Sequence, residues 1–351
     1  MEARERVKRT LEFRETDRTP FGIFGSNPWD EERLTRDLGL HSITQMYKKL
    51  DLDIWHLFQP LQYTGPKRTF KGKEADFWGV PLDIRNFGDS SIYNPLAEIS
   101  SVDEVEEYCF PNIADFDGTW LDQQLDQLDQ FAIEGGLWAP IFHNVTWLCG
   151  FENTLCDLVS NPEIVRALLR KVTDFWIDYT RKTLEIANGR IMIMQNCNDF
   201  GTQRELIMSS EMFRSYFKPE LKRLYDTIKS YDVAVLQHSC GAIGTILEDF
   251  VEMGADIINP IQVSADGMDL KTIRGKLGGK VVVYGGIDTQ YVLPRGTKME
   301  IAEAVHGALD EFQSVGGYIL APSQGIEPDI STQNVQYMFS EAKKYQKIMK
   351  G

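Results

Sequence analysis

The sequence predicts an α/β protein built as a single (β/α)8 barrel, with an irregular β-rich excursion in its amino-terminal half. Three observations predict it. In the second half, short apolar runs alternate with segments of helical periodicity, the pattern of parallel strands joined by crossover helices. The runs are apolar almost throughout, as strands covered on both faces are. Each run turns polar only at its end, where a parallel barrel gathers its functional groups. An open doubly wound sheet satisfies the first two observations. It would carry a Gly-x-Gly-x-x-Gly turn after its first strand, which is missing here, and would concentrate its polar residues at one switch point.

The elements follow in order. Residues 7–13 read as a short helix, Asp17-Arg18-Thr19-Pro20 as a turn, and residues 21–24 and 52–58 as strands. Residues 60–100 are rich in Gly, Pro and aromatic side chains, including Tyr63-Thr64-Gly65-Pro66 and Phe77-Trp78-Gly79-Val80-Pro81, and read as hairpins. Ser101-Val102-Asp103-Glu104 is a capping box opening a short helix. Five strands then stand out at residues 190–195, 232–237, 256–259, 280–284 and 317–320. Helices fill the gaps. One opens at Asn161-Pro162-Glu163, one at Ser210-Glu211-Met212, and the last near Thr332, with Val335, Met338, Phe339 and Ala342 at helical spacing. Neither a repeat nor a flexible linker divides the chain, so residues 1–351 read as one domain.

Composition narrows the function. The 351 residues carry a net charge of −15, which argues against nucleic acid and anionic lipid as partners. No apolar run approaches the roughly 20 residues of a membrane span. The five cysteines, at 109, 149, 156, 197 and 240, are odd in number and lack a disulfide-framework spacing. The amino terminus opens a polar helix rather than a signal peptide. The expected compartment is therefore a reducing cytoplasm, where thiols stay available as nucleophiles or metal ligands.

The strand ends supply the candidate chemistry. His238 and Cys240, two apart on one strand, face the same way and can converge on one zinc ion. Asp199 ends the preceding unit with the same spacing from Cys197; it is a candidate to contact substrate or orient a ligand, or else to cap a helix. Asp288 follows Gly285-Gly286, and Ser323-Gln324 lies between Pro322 and Gly325. Asn198, Asn259, His143 and Asn144 complete the set of candidate substrate contacts. His41, His56 and His306 receive no role.

Taken together these strings resemble the uroporphyrinogen decarboxylase-like superfamily, and within it the cobalamin-dependent methyltransferases. The matching segments are residues 4–20 (RERVKRTLEFRETDRTP), 198–219 (NDFGTQRELIMSSEMFRSYFKP), 238–241 (HSCG), 254–262 (GADIINPIQ), 283–288 (VYGGID) and 316–328 (GGYILAPSQGIEP). The resemblance implies the (β/α)8 barrel and, in the methyltransferases, a zinc ion held by a His-x-Cys pair and a later Cys. His238 and Cys240 match the pair. Gln324 stands where the later Cys is expected and becomes the candidate third ligand. The resemblance implies that the decarboxylase branch needs arginines near the amino terminus of the barrel, whereas the corresponding stretch, Pro20 to Pro28, contains none.

The resemblance thus implies a zinc-assisted methyltransferase moving a methyl group between a corrinoid and a thiol or pterin acceptor. The corrinoid would be carried by a separate small protein. Asp199, His238 and Cys240 would be the catalytic residues. One alternative is a metal-free decarboxylase or lyase acting on a small acid. Another is a catalytically silent barrel that docks a corrinoid partner.

Overall fold

The structure is a computed structural model that describes residues 1–24, 28–82, 94–137 and 140–350. Its centre is a seven-stranded, wholly parallel sheet in which the strands lie in chain order. They are β1 (Ile54–Leu57), β2 (Ala132–Leu137), β3 (Ile191–Cys197), β4 (Ala234–His238), β5 (Ile257–Ile261), β6 (Val282–Ile287) and β7 (Tyr318–Pro322). All five strands expected in the second half form. The helices Pro162–Ala187, Lys218–Lys229, Leu247–Met253, Leu270–Leu277, Lys298–Gln313 and Thr332–Lys350 make the crossovers and the final cover.

Period-two alternation divides the sheet into two faces. Ile54, Ala132, Ile193, Leu236, Ile257, Val282 and Ile319 form one apolar layer with Val7 and Phe24 on the inner, concave face. Their neighbours Ile133, Met194, Val235, Ile258, Val283 and Leu320 point outward into the larger core shared with the helices. Both faces are covered, which is why the strands are apolar throughout.

The expected eighth strand is where the structure departs from a regular (β/α)8 barrel. Residues 21–24 do not form a strand; Phe21 makes a single parallel bridge to Leu320. The segment nevertheless spans both edges of the sheet. Leu320 N donates to Pro20 O (3.0 Å) and Gly22 N to Leu320 O (3.2 Å), while Asp53 N donates to Phe21 O (2.8 Å). The sheet is therefore curled but open, seven strands rather than the expected closed (β/α)8 barrel, with a one-residue bridge in the eighth place. The physical reason lies in Pro20, which has no N–H to extend the ladder. A Cβ at Gly22 would lie 2.1 Å from the Tyr284 hydroxyl, so the chain passes too close to β6 for a regular strand with side chains.

A buried ion cluster holds this closure. Asp53, 1% exposed, accepts from Arg6 Nη1 (2.5 Å), from Arg18 Nη1 (2.7 Å) and from Phe21 N (2.8 Å). Arg6 also pairs with Asp17, and the Arg18 guanidinium lies 4.4 Å from the centre of the Phe21 ring. The excursion is partly as expected. Arg68–Phe70 and Lys73–Ala75 form a hairpin, and Gln62–Tyr63 pairs with Phe116–Asp117. Residues 83–93 of it lie outside the described residues. Ser101 caps Val102–Glu107 through its hydroxyl, whereas the Asn161 side chain makes no cap bond to the helix it precedes. Among the described residues no helix is long and apolar enough to cross a membrane.

Two stability predictions follow from these contacts. Asp53→Ala leaves two guanidinium groups without their buried partner and should cost about 3–5 kcal/mol in urea unfolding. The second concerns Glu31, on the helix Pro28–Asp37. Burial pushes its carboxyl up to about 7, and the Tyr47 hydroxyl, donating at 2.7 Å, offsets only part of this. Between its ordinary value and 7 the folded protein binds more protons at Glu31 than the unfolded chain does. Stability is then lost as pH rises through that window. Glu31→Gln keeps an acceptor for Tyr47. It should stabilise by on the order of 1–2 kcal/mol at pH 8 and leave stability at pH 4 unchanged. Equal effects at both pH values would refute this.

Candidate active site

Two adjacent strand ends build the site. Cys197 of β3 and His238 of β4 are register partners, so Asp199 and Cys240 both lie two residues beyond the pairing. The backbones stay locked past the strands. Asn198 N donates to His238 O (3.0 Å), and Ser239 N to Asn259 O (2.8 Å). Phe200 N donates to the Ser239 hydroxyl (3.0 Å), and Gly241 N to Gln262 Oε1 (2.8 Å). Gly241 has φ +89°, and a Cβ there would come within 2.5 Å of the Gly201 backbone. Only glycine lets the two turns approach this closely, which is why Gly follows Cys240.

His238 is buried and stacks on Phe24, with ring centroids 4.5 Å apart. Its Nδ1 lies 2.6 Å from Asn259 Oδ1. Asn259 Nδ2 donates to Tyr284 O (3.3 Å), which turns the amide oxygen toward the imidazole. Burial pushes the His238 pKa down, and the nearby Asp199 carboxylate opposes this only in part. The ring is therefore neutral near pH 7, with its proton on Nδ1 and a lone pair on Nε2. That lone pair lies 3.4 Å from Cys240 Sγ and 3.5 Å from Asp199 Oδ1.

Cys240 and Asp199 are bound to each other as well. Cys240 N donates to Asp199 Oδ1 at 2.8 Å. Burial, reinforced by the Asp199 charge, pushes the Cys240 thiol well above its ordinary value, so the residue is a thiol until a cation stabilises its anion. Imidazole nitrogen, sulfur and carboxylate oxygen lie within 4.8 Å of one another. These are the donor types that zinc takes, and the Asn259 contact supplies the outer hydrogen bond that orients a ligating histidine. The donor set therefore fits a zinc ion.

The remaining expected residues divide. Gln324 reaches the cluster, but with its nitrogen: Nε2 donates to Cys240 Sγ at 2.9 Å, while Oε1 accepts from Gly325 N at 3.0 Å. In this orientation it presents a donor to the sulfur. His143, at the start of the helix Phe142–Cys149, lies 3.7 Å from Asp199 Oδ2, and burial pushes its pKa down. Asn259 joins the site through His238. Four others make hydrogen bonds within the surrounding structure. Asn144 accepts from the Trp176 indole (2.7 Å), and Asn198 accepts from Ile141 N and Phe142 N (3.1 and 2.7 Å). Asp288 accepts from the backbone N–H groups of Gln290, Tyr291 and Val292, and the Ser323 hydroxyl donates to Ile261 O.

Sequence reasoning missed Phe24, Gln262 and the inner-face pair His56 and Glu134. A period-two count from Ile54 and Ala132 would have placed the last two. No local pattern foretells Phe24.

Asn259→Leu should lower zinc affinity ten- to a hundredfold by freeing the His238 ring, measured by competition with a chromophoric chelator. Unchanged affinity would show that Asn259 does not orient the ligand.

A curled parallel sheet with its polar cluster at the carboxyl ends of neighbouring strands defines a barrel-like α/β protein of the kind that carries enzyme sites at that rim. The family model described as uroporphyrinogen decarboxylase (URO-D) matches residues 76–345, well over half of the chain, and the protein belongs to that family. Among curated relatives, the methylcobamide:CoM methyltransferase MtbA of Methanosarcina acetivorans is 30% identical over 189 residues, covering 54% of this chain and 52% of that protein. The uroporphyrinogen decarboxylase of Pelobacter propionicus is 28% identical over 183 residues, covering 52% and 49%. The chain thus spans about half the length of these relatives. A solved methyltransferase from Methanosarcina mazei superposes with a TM-score of 0.66 at 14% identity, covering 98% of this chain and 99% of that one, and shows the shared fold.

Proposed function

We propose that the chain is a metal-assisted methyltransferase of the URO-D family, moving a methyl group between a corrinoid and a small thiol or pterin acceptor. The carrying observation is the convergence of His238 Nε2, Cys240 Sγ and Asp199 on one point, with Asn259 fixing the imidazole. His238, Cys240 and Asp199 would hold the metal, Asp199 filling the place expected of a later Cys. Bound there, zinc would supply a cation that favours the thiolate of an acceptor thiol at neutral pH. The protein's own groups do the rest. Gln324 Nε2 donates to the Cys240 sulfur and tempers its charge. His143, neutral and beside Asp199, offers a hydrogen bond to a bound acceptor. Phe24 covers one face of His238 and keeps water from it. Asp288, Ser323, Asn198 and Asn144 then hold the loops around the cluster, and residues 1–351 would work as one unit.

A second reading is a metal-free decarboxylase or lyase acting on a small acid. The comparisons by themselves back it better: the matching family model is named for the decarboxylase.

Metal analysis separates the two. The methyltransferase reading expects about one zinc per purified chain, abolished in His238→Ala and Cys240→Ala, reduced in Asp199→Ala and retained in Gln324→Ala. Because the raised thiol must lose its proton on binding, zinc affinity should rise about tenfold per pH unit from 6 to 8. Sub-stoichiometric zinc indifferent to these substitutions, with activity surviving chelation, would establish the second reading instead.

A further inference from the structure

Two residues beyond the inner apolar layer lies a polar layer that the metal cluster uses only in part. His238 and Asn259 belong to it, and so do His56 of β1, Glu134 of β2 and Gln195 of β3. His56 and Glu134 are register partners, with His56 Nδ1 3.2 Å from Glu134 Oε1. Their side chains are 9% and 1% exposed. Gln195 pairs with Gly136, and its Oε1 is buried without a hydrogen-bond partner among the described residues. Gly136 makes room for the imidazole: a Cβ there would lie 2.8 Å from His56 Cε1 and 3.3 Å from Nε2. The Phe24 ring, stacked on His238, lies 6.3 Å from the His56 ring, so the two histidines flank one phenyl group. Among the described residues the other titratable groups near the pair include His238 across the Phe24 ring, Tyr284, which is 6.0 Å from Phe24, and Glu31 with its hydrogen-bond partner Tyr47.

This arrangement has a chemical consequence. A carboxylate on Nδ1 places the neutral ring's proton there and leaves a lone pair on Nε2. Among the described residues nothing hydrogen-bonds that nitrogen. A buried histidine oriented by a carboxylate, with its other nitrogen free, has the form of a general base.

We propose that His56 is a second proton-transfer centre of this site, with Glu134 as its positioning residue and Gln195 as a neighbouring acceptor. Its ligand is a small molecule carrying an acidic O–H, N–H or S–H group. In the step, the X–H bond breaks and leaves its electron pair on X. The proton bonds to His56 Nε2, and the Glu134 carboxylate balances the imidazolium charge. The proton returns by the reverse path, with no change of oxidation state. The role is compatible with either reaction proposed above and depends on neither.

Nitrogen NMR of the histidine rings in the intact protein tests it, with phenol as the O–H probe. His56 should carry its proton on Nδ1 in the wild type and in Glu134→Gln, which keeps an acceptor, and on Nε2 in Glu134→Leu. Phenol should move the Nε2 resonance in the wild type and not in Glu134→Leu. A wild-type His56 protonated on Nε2, a tautomer indifferent to Glu134→Leu, or an Nε2 resonance unmoved by phenol would each overturn the proposal, whether or not the protein handles methyl groups. Where methylcobalamin-dependent methylation of 2-mercaptoethanol is measurable, His56→Gln should lower kcat on the order of 100-fold with KM within about twofold. Wild-type kcat in that variant would also overturn it. A wild type without turnover counts against the methyltransferase reading alone, and the ring measurements still decide this one.

Discussion

The buried carboxylate of Asp53 is the contact on which the rest of the architecture hangs. It sits just before β1, at the amino-terminal end of the sheet, and binds two arginines and the Phe21 amide at once. Its own backbone N–H donates to Phe21 O, and its carbonyl accepts from Ala132 N. One residue therefore ties the incoming segment to both β1 and β2, while Leu320 holds that segment to β7. Two guanidinium groups and one carboxylate out of water are costly unless each is satisfied. Here Asp17, the Met1, Thr19 and Asp51 carbonyls and the Phe21 ring share the arginines, so the cluster is specific in geometry as well as charge.

The closure reaches the chemistry within three residues. Phe24 follows Phe21 and Gly22 across the mouth of the curled sheet and lies flat on His238. The imidazole is thereby confined between an aromatic face and the Asn259 amide, with a single free lone pair. Confinement also explains the electrostatics. Burial disfavours charge on His238 and on Cys240 alike, so both stand neutral and a cation would meet an uncharged nitrogen and a displaceable proton. Asp199 is the charged member, more open than either, and it faces both. The chain's acidity fits this arrangement, since the cluster has a carboxylate where a polyanionic substrate would need cations.

The inner face is layered. One apolar ring fills the sheet's concavity at Ile54, Ala132, Ile193, Leu236, Ile257, Val282 and Ile319. Two residues on, the first five of these strands present His56, Glu134, Gln195, His238 and Asn259, and the last two present Tyr284 and Ala321. The lower layer excludes water and the upper one carries hydrogen-bonding groups, so the site stands on a dry floor. That ordering follows from the two-residue period of a strand and needs no special loop.

Local chemistry in the sequence determined a good deal. Apolar runs of four to six residues, each ending in polar groups, are enough to specify parallel strands covered on both faces, and all five expected in the second half form. His238 and Cys240 were legible because a two-residue spacing puts both side chains on one face, and Asp199 because it repeats that spacing on the neighbouring strand. What only the tertiary structure decided were the matters set by contacts distant in sequence. Residues 21–24 had strand propensity, yet Pro20 and the close approach of Gly22 to Tyr284 limit them to a one-residue bridge. Asp288 and Ser323 stand at strand ends as expected, and only the tertiary structure shows that they also bond nearby N–H and C=O groups. Gln324 had the right place for a ligand, yet Gly325 turns its nitrogen toward Cys240. The pairing of His56 with Glu134 spans 78 residues and depends on strand register, which no local pattern encodes.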